Sequence, residues 1–213
     1  MNIHRDVNQL NGAGKDYLVS AGIFFLGGML MGVAAKYSDT AVAQGLWGAV
    51  LELARHVTTR LGLWVLLGTL IAAGSKSPAM AAVRVPVFFL GMLLAYYIYS
   101  RALFGFFPTY YFLRWGLIVL LSPFAAYLVW FGRGTGWWAA FCAGLPIGLL
   151  LSQGYPFFYM FSPVMGFDLL AALLMLWVLT KQKEQRLKTG LMSILIGFIL
   201  FHTSILSHMM GGL

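Results

Sequence analysis

The stretch that decides the fold is residues 17–35, YLVSAGIFFLGGMLMGVAA, in which nineteen consecutive positions carry no charge. A helix needs about 20 mostly apolar residues to cross a bilayer. This run therefore predicts a first transmembrane helix, which Lys36 closes. A cleaved signal peptide is the competing interpretation, but its apolar core is about 7–15 residues long and a soluble chain follows it. Further apolar runs follow here, so we favour a retained span.

The composition of the whole chain agrees with that first segment. Of the 213 residues, 61% are hydrophobic, 16% are aromatic and only 9% are charged, and the mean hydropathy is +0.84. An average soluble protein has about 25% charged residues, which cover its surface. The chain is therefore predicted to be an all-α polytopic transmembrane bundle, a single integral membrane domain over residues 1–213, with no room for a soluble catalytic domain.

Further apolar runs predict the other helices of the bundle. With the first span they give about seven crossings, and six if a short one does not cross: 61–74, 81–100, 115–131, 137–153, 164–180 and 190–210. Residues 1–16 are predicted to be a polar N-terminal arm, either a short soluble segment or an interfacial helix. Residues 41–60 are predicted to form an interfacial or re-entrant helix, because their apolar part is too short to cross. Residues 181–188 are predicted to be a basic cytoplasmic loop.

The excess of basic residues is interpreted as a topology signal. The chain has 14 Lys and Arg against 6 Asp and Glu, a net charge of +8. These charges mark the ends of spans, and no basic face with interleaved aromatics lies outside the spans, so we expect no nucleic-acid partner. With seven crossings, nine Lys and Arg fall on the side of the N-terminus and five on the other. This bias predicts a cytoplasmic N-terminus and an outer C-terminus, unless residues 41–56 also cross.

Asp168 is the strongest candidate for a functional residue, because an ionisable group within a membrane span is costly. No other acidic residue occurs between positions 53 and 183, and Asp168 lies near the start of the sixth predicted span. One interpretation is a cation or proton site, or a polar anchor for a ligand held among Tyr155, Phe158 and Tyr159. The other is structural, since a carboxylate in the first turn of a helix caps free N–H groups and complements the helix dipole.

Two aromatic segments, residues 104–112 and 155–161, fall on the predicted outer side. They are interpreted either as interfacial belts or as the roof of a ligand pocket. Two arginines flank the first segment, and each would bind an anionic ligand or headgroup, pair with Asp168, or extend to the interface. The predicted ligand-binding residues are Asp168, Tyr155, Phe158, Tyr159, Tyr110, Tyr111, Arg101 and Arg114.

Two GxxxG pairs predict close helix packing. Gly28 and Gly32 lie in the first span, and Gly144 and Gly148 lie in the fifth. Small residues of this kind let two helix backbones approach closely in a membrane. Together with the 41–56 helix, these faces are also candidate contacts for another membrane subunit or for a second copy of the chain. We find no internal sequence repeat, so an inverted-repeat transporter fold is not supported.

Signatures of enzymes and cofactor sites are missing from the sequence. It contains no GxSxG, HExxH, P-loop or CxxC motif, and Cys142 is the only cysteine. His202 and His208 are six residues apart, which places them on different faces of a helix and argues against a metal site. Ser204 and His208 are four residues apart and leave an intramembrane enzyme as a remote alternative. We predict no enzyme activity, no cofactor and no metal.

An aromatic and basic pattern runs through residues 84–133. It consists of YYIYS at 96–100, FGFFP at 104–108, YY at 110–111, RWG at 114–116 and LSP at 121–123, continuing to Trp130. This pattern resembles a group of small bacterial polytopic membrane proteins. The group has no assigned activity, so the resemblance implies a bacterial cell membrane and a compact helical domain. In size and span count the chain is also similar to the substrate-binding subunits of energy-coupling-factor transporters, although no motif matches them residue by residue.

These observations favour a small membrane transport protein or substrate-capture subunit. It would bind a small solute between the outer aromatic segments and the sixth span. The alternative is a non-enzymatic assembly or partner subunit. In either case the lipid bilayer is the expected partner, and a bacterial inner membrane is the expected location.

Overall fold

The computed structural model describes the backbone of residues 3–203 and the side chains of residues 17–203. Every regular element in that part of the chain is a helix, which confirms the all-α class. The nine described helices are α1 (Ile3–Thr40), α2 (Gly45–Thr58), α3 (Leu61–Ala73), α4 (Pro78–Phe104), α5 (Thr109–Phe131), α6 (Gly136–Gly154), α7 (Phe157–Met160), α8 (Pro163–Leu179) and α9 (Lys183–Thr203).

Five segments among the described residues are long and apolar enough to cross a membrane. They are Tyr17–Thr40 of α1, the whole of α4, α5 and α9, and α6 extended to Met160. Helices α2 and α3 pass the same test together but are bent by 71° at the residues between them, as in a broken span or a re-entrant segment. Helix α8 is shorter, with 17 residues. The chain is therefore a helical membrane bundle with five or six long apolar helices, and the count of about seven spans stays a prediction.

The bounds of two segments and the form of a third differ from those predicted. Residues 3–16 continue into α1 as one helix instead of forming a separate arm. Helix α2 begins at Gly45, whose positive φ of 66° starts the helix after the short stretch 41–44. Residues 183–188 form the first turns of α9 rather than a loop, because Lys, Glu, Gln and Arg are good helix formers.

The helices form two groups, which are joined by α3 and by the contact of α5 with α6. Helix α4 packs between α1 and α5, and α6 packs between α8 and α9. The short helix α3 contacts α4, α5, α6 and α8. In α4 and α6, 50% and 44% of the apolar segment is buried, against 17% in α1, α5 and α9. The outer helices expose large apolar side chains such as Leu30, Leu120 and Phe198, which suit contact with lipid.

Glycine backbones bring α1 and α4 together. A Cβ atom on Gly28 would lie 2.0 Å from the carbonyl oxygen of Phe88, and one on Gly32 would lie 2.3 Å from that of Met92. No side chain fits in these gaps, so the two backbones touch directly. Because 28 meets 88 and 32 meets 92, the two helices run parallel.

Helices α6 and α9 form a second pair of the same kind. A Cβ on Gly148 would lie 2.8 Å from the carbonyl oxygen of Ser193, and one on Gly144 would lie 3.2 Å from Cδ1 of Ile196. These two helices also run parallel. Gly136 and Gln185 are hydrogen-bonded near the N-terminal ends of the two helices, and Gly148 and Ser193 meet further along both of them. Both GxxxG faces are thus occupied by helices of the same chain.

Polar contacts show which helix ends lie together. At the end that carries Lys76, Arg84, Arg133 and residues 181–188, which we call the basic end, Arg84 Nε donates a 2.7 Å hydrogen bond to Ser20 Oγ. Arg133 donates to the carbonyl oxygen of Ser75 at the same end. At the opposite end, the start of α3 meets the start of α8, and the end of α1 meets the end of α4. We call this second end the cavity end.

Candidate functional site

A cavity of about 390 Å³ lies at the cavity end, among α1, the α2–α3 break, α4 and the start of α5. The short helix α3 contributes Trp64 to its wall. Thirteen residues of helix span about 20 Å, whereas the hydrocarbon core of a bilayer is about 30 Å thick. Its volume falls within the range of small-molecule sites.

Aromatic rings dominate the wall of the cavity. The inner wall has the buried side chains of Trp64, Leu93 and Tyr97, and the rim has the exposed rings of Phe104 and Phe106. Further rings that line it are Tyr96, Tyr111 and Trp115. The cavity therefore offers an apolar surface with a few polar atoms, as ligand sites commonly do.

Lys36 is the charged residue on this wall, and only 5% of its surface is exposed. It lies one turn beyond Gly32, on the face of α1 that packs against α4. Its Nζ is 2.9 Å from Oδ2 of Asp39 and lies over the rings of Tyr96 at 4.9 Å and Phe104 at 4.8 Å. An ammonium group held between a carboxylate and two ring faces is stabilised by ion pairing and cation–π attraction.

Asp39 connects Lys36 to α4. The hydroxyl of Tyr96 donates a 3.0 Å hydrogen bond to the same Oδ2 atom that Lys36 contacts. Because Asp39 receives a donor from α4, its carboxylate keeps a hydrogen bond even when Lys36 changes partner. The arrangement therefore leaves the ammonium group free to exchange partners without stranding the carboxylate.

Hydroxyl groups provide the other polar atoms of the wall. Ser100 is buried and lies one turn after Tyr96 on α4. Thr58 and Thr59 lie at the α2–α3 break, where their hydroxyls donate to carbonyl oxygens of α2 and keep lone pairs as acceptors. The break itself is fastened by Trp64, whose Nε1 donates a 2.8 Å bond to the carbonyl oxygen of Thr58.

Asp168 is fully buried but does not line this cavity. Its Oδ2 is 3.3 Å from Nη2 of Arg60 at the N-terminal end of α3, and neither carboxylate oxygen has a hydrogen-bond partner among residues 17–203. Gly62 makes room for it, since a Cβ there would lie 1.8 Å from Oδ1. The ion pair joins α3 to α8 and so connects the two helix groups.

The helix-capping interpretation of Asp168 is wrong. Helix α8 begins at Pro163, so Asp168 lies in its second turn and makes no capping bond. The pairing of Asp168 with Arg101 or Arg114 is not observed either, because Arg60 takes that position. The orientation of α3, which sequence periodicity does not reveal, decides the partner.

The residues around the first aromatic segment are split between the cavity and the surface. Tyr111 lines the cavity, whereas Tyr110 makes an edge-to-face contact with Tyr111 and carries the guanidinium of Arg114 over its ring at 4.2 Å. Arg101 is exposed beside Ser100. One of the predicted ligand-binding residues thus lies on the cavity wall, with two cations nearby on α4 and α5.

The second aromatic segment does not reach the cavity. Tyr155, Phe158 and Tyr159 are exposed and form a cluster of edge-to-face rings, which Phe201 of α9 joins. The two aromatic segments therefore do not roof one pocket. Their separation follows from the packing order, because α6 and α8 belong to the other helix group.

Neither a metal site nor an intramembrane enzyme finds support in the described part of the chain. No group of three or more His, Cys, Asp or Glu side chains suited to a metal is present between residues 17 and 203. His202 is exposed and stacks on Phe198. Ser204 and His208 lie outside the described residues. Cys142 is a buried free thiol in α6.

Sequence reasoning missed Lys36, which it interpreted as the marker of a span end. The signal for a different role was present in the spacing, since Gly28, Gly32 and Lys36 recur every four residues and share one face of α1. A lysine on a face that packs through glycine is directed towards another helix. Interpreting it in this way also required knowing that Tyr96 lies opposite.

Comparisons with known proteins identify no relative of the chain, so a functional conclusion depends on the geometry of the cavity. No protein-family model, curated protein or solved structure matches the chain.

Proposed function

We propose that the protein captures a small solute in the cavity among α1, α3, α4 and α5, as a small membrane transport protein or as the substrate-capture subunit of one. The observation that carries this proposal is the buried ammonium group of Lys36 on the wall of a 390 Å³ cavity. Burying an ion costs several kcal/mol. A lysine retained at such a position is more consistent with ligand binding than with helix packing.

The chemistry of the wall supports binding rather than catalysis. The lining residues that the structure describes include no His, Cys, Asp or Glu. Lys36 is engaged by Asp39 and by two rings, and no general base is hydrogen-bonded to Ser100 in the described chain. A nucleophile needs an oriented base and a site for the developing negative charge. We therefore propose a non-enzymatic function.

The charge distribution supports capture from the outer side of a bacterial inner membrane. The cavity end carries Lys36, Arg55, Arg60, Arg101 and Arg114, whereas the basic end and the N-terminal segment carry the other nine Lys and Arg. By the positive-inside rule this distribution favours a cavity on the outer side and an N-terminus in the cytoplasm, if α3 and α8 both cross. The resemblance of residues 84–133 to small bacterial membrane proteins supports the same location.

Filling the cavity tests the proposal. Ala35 is 3% exposed and lines the cavity, so Ala35→Phe places a ring in the binding space. Ala125 is exposed on α5, and Ala125→Phe is the matched control. We expect a panel of metabolites and ions to include a solute that raises the Tm of the wild type and of Ala125→Phe but not of Ala35→Phe. The same solute should change the fluorescence of Trp64 and Trp115, which line the cavity. No stabilisation by any solute in the panel would contradict the proposal.

The assembly-subunit alternative has less support. Both GxxxG faces are filled by α4 and α9 of the same chain, so they are not available to a partner. Helix α2 exposes Leu46 and Trp47, and such a face suits the membrane surface equally well. Crosslinking in native membranes separates the two functions, since capture of a single chain without partners is inconsistent with an assembly role.

A further inference from the structure

We infer that the ligand of the cavity is an anionic amphiphile, a molecule with an apolar body and a carboxylate or phosphate head, and that Lys36 binds the head. This inference rests on the proposed function and specifies the chemistry of its ligand. Three features of the cavity carry it: the spare donors of Lys36, the charge of the cavity end and the apolar wall.

The first feature is the hydrogen-bonding capacity of Lys36. An ammonium group has three N–H donors. Asp39 accepts one of them at 2.9 Å, and the rings of Tyr96 and Phe104 beside Nζ offer π faces rather than oxygen acceptors. Within the described chain, two of the three donors therefore have no oxygen partner. An oxygen atom of a ligand in the cavity would take that place, and a charged oxygen makes a stronger bond than a neutral one.

The second feature is the sign of the charge around the cavity. The cavity end has five Lys and Arg but only three carboxylates, which belong to Asp39, Glu52 and Asp168. Each of the three lies in an ion pair with a cation of the same end. The excess of positive charge attracts an anion and disfavours a cationic ligand beside Lys36.

The third feature is the surface beyond the ammonium group. Met92, Leu93 and the ring faces of Trp64, Tyr97 and Trp115 form a continuous apolar wall. Removing apolar ligand surface from water against such a wall is favourable. A small inorganic anion would leave this surface empty, whereas an acyl chain or a ring system would cover it. The head is thus held by charge and the body by apolar contact.

The test compares two ligands that differ only in the head. The purified protein in phosphatidylcholine nanodiscs is titrated at pH 8 with decanoate or with decanol, and Trp fluorescence reports binding. With the free concentration of each ligand corrected for its partitioning into empty nanodiscs, we expect the wild type to bind decanoate at least about tenfold more tightly than decanol, since a hydrogen bond to a charged oxygen is stronger than one to a neutral oxygen. Lys36→Met should abolish that preference while leaving decanol affinity within about twofold.

Two further variants keep the result interpretable. Lys36→Met leaves Asp39 without its cation, so the double variant Lys36→Met/Asp39→Asn removes the pair as a whole and should lose the same preference. Lys76→Met removes an exposed cation of the basic end and is the matched control, for which we expect the preference for decanoate to persist. Because all variants are measured in identical nanodiscs, the partitioning of each ligand into lipid is the same for every variant and cancels when variants are compared.

The lipid composition distinguishes two sources of the ligand. If the natural occupant is an anionic phospholipid of the bilayer, adding phosphatidylglycerol to the nanodiscs should compete with decanoate in the wild type but not in Lys36→Met. If it is a free carboxylate amphiphile, phosphatidylglycerol should have no effect. Equal binding of decanoate and decanol, or an unchanged preference in both Lys36 variants, would overturn the inference. The proposed function would then stand if another solute binds, and would fail only if the whole panel leaves the protein unaffected.

Discussion

Two helix pairs in this molecule are built in the same way and end differently. In both α1–α4 and α6–α9, two parallel helices meet through a GxxxG pair on the first helix. The position one turn beyond the second glycine is Lys36 in α1 and Ser152 in α6. Lys36 lies against Tyr96 on the wall of a cavity, whereas Ser152 bonds to the carbonyl oxygen of Leu149 in its own helix.

In each pair, the glycines and the residue that follows them contribute differently. The glycines set the distance between two helices and act the same way in both pairs. The residue one turn beyond the second glycine differs between the pairs. Ser152 makes a hydrogen bond within its own helix, whereas Lys36 brings a charge that needs a partner. The GxxxG motif therefore indicates where two helices pack closely. The next residue on the same face distinguishes the pair that borders the cavity from the pair that does not.

The largest expected effect concerns the ion pair that joins the two groups. Replacing Arg60 by Met leaves Asp168 buried without a counter-charge, and breaking a buried pair in this way costs about 3 kcal/mol of unfolding free energy. Denaturant titration in mixed micelles would measure it. The double variant Arg60→Met/Asp168→Asn should recover more than half of the loss. A single variant as stable as the wild type would show that the junction does not depend on the pair.

The next effect tests whether the two glycine pairs pack equally tightly. Gly28→Ala forces a methyl group against the carbonyl oxygen of Phe88 and should cost about 2–3 kcal/mol, the range of overpacked cores. Gly148→Ala has longer contacts and should cost about 1 kcal/mol.

Gly27→Ala is the matched control for both glycine variants. No atom lies within 4 Å of its added Cβ, and alanine is the better helix former, so stability should stay the same or rise by up to about 1 kcal/mol. Thermal unfolding followed by circular dichroism orders the three variants. If Gly27→Ala proves as harmful as Gly28→Ala, the direct backbone contact is not what limits the packing.

A smaller effect is expected at the end of the first pair. Tyr96→Phe removes the hydroxyl that donates to Asp39 and should cost about 1 kcal/mol, the usual contribution of one hydrogen bond. Tyr97→Phe is the neighbouring control, because its hydroxyl has no hydrogen-bond partner in the described chain. Thermal denaturation of the two variants side by side gives the difference. Equal loss in both would mean that the Tyr96 hydroxyl does not hold Asp39 in place.

The smallest effect concerns the ring on the rim. Phe104→Leu removes the cation–π contact with Lys36 and should cost about 0.5 kcal/mol, since the ring is half-exposed. Phe106→Leu, at another exposed ring of the rim, should cost less. The shift in Tm of the two variants in the same detergent decides between them. A larger loss for Phe106→Leu would indicate that ring packing rather than the cation is the source of the effect.

Part of this arrangement follows from the sequence. Uncharged runs such as 17–35 predict membrane helices because a helix lets the backbone N–H and C=O groups of a single segment hydrogen-bond to each other inside a bilayer. The GxxxG spacing predicts close packing because glycine has no side chain. Asp168 is a conspicuous residue because acids within apolar spans are rare, and its burial agrees with that expectation.

The candidate site was not predictable in the same way. The predicted pocket joined residues 104–112 to residues 155–161, but these segments belong to different helix groups and do not meet. The cavity instead joins the end of α1 to the α2–α3 break, residues separated by about twenty positions in the chain. Nothing in the local sequence around Lys36 distinguishes a buried lysine from one that extends to the interface.

By itself the sequence determined that the chain is a helical membrane protein, where its long helices lie and which faces of α1 and α6 are narrow, because hydropathy and residue size act locally. Only the tertiary structure decided that α4 covers the face of Lys36, that Arg60 pairs with Asp168 and that a cavity lies among α1, α3, α4 and α5. These features depend on which helices become neighbours. Ion pairs and cavities are properties of two or more packed surfaces, and no single helix contains the information that specifies them.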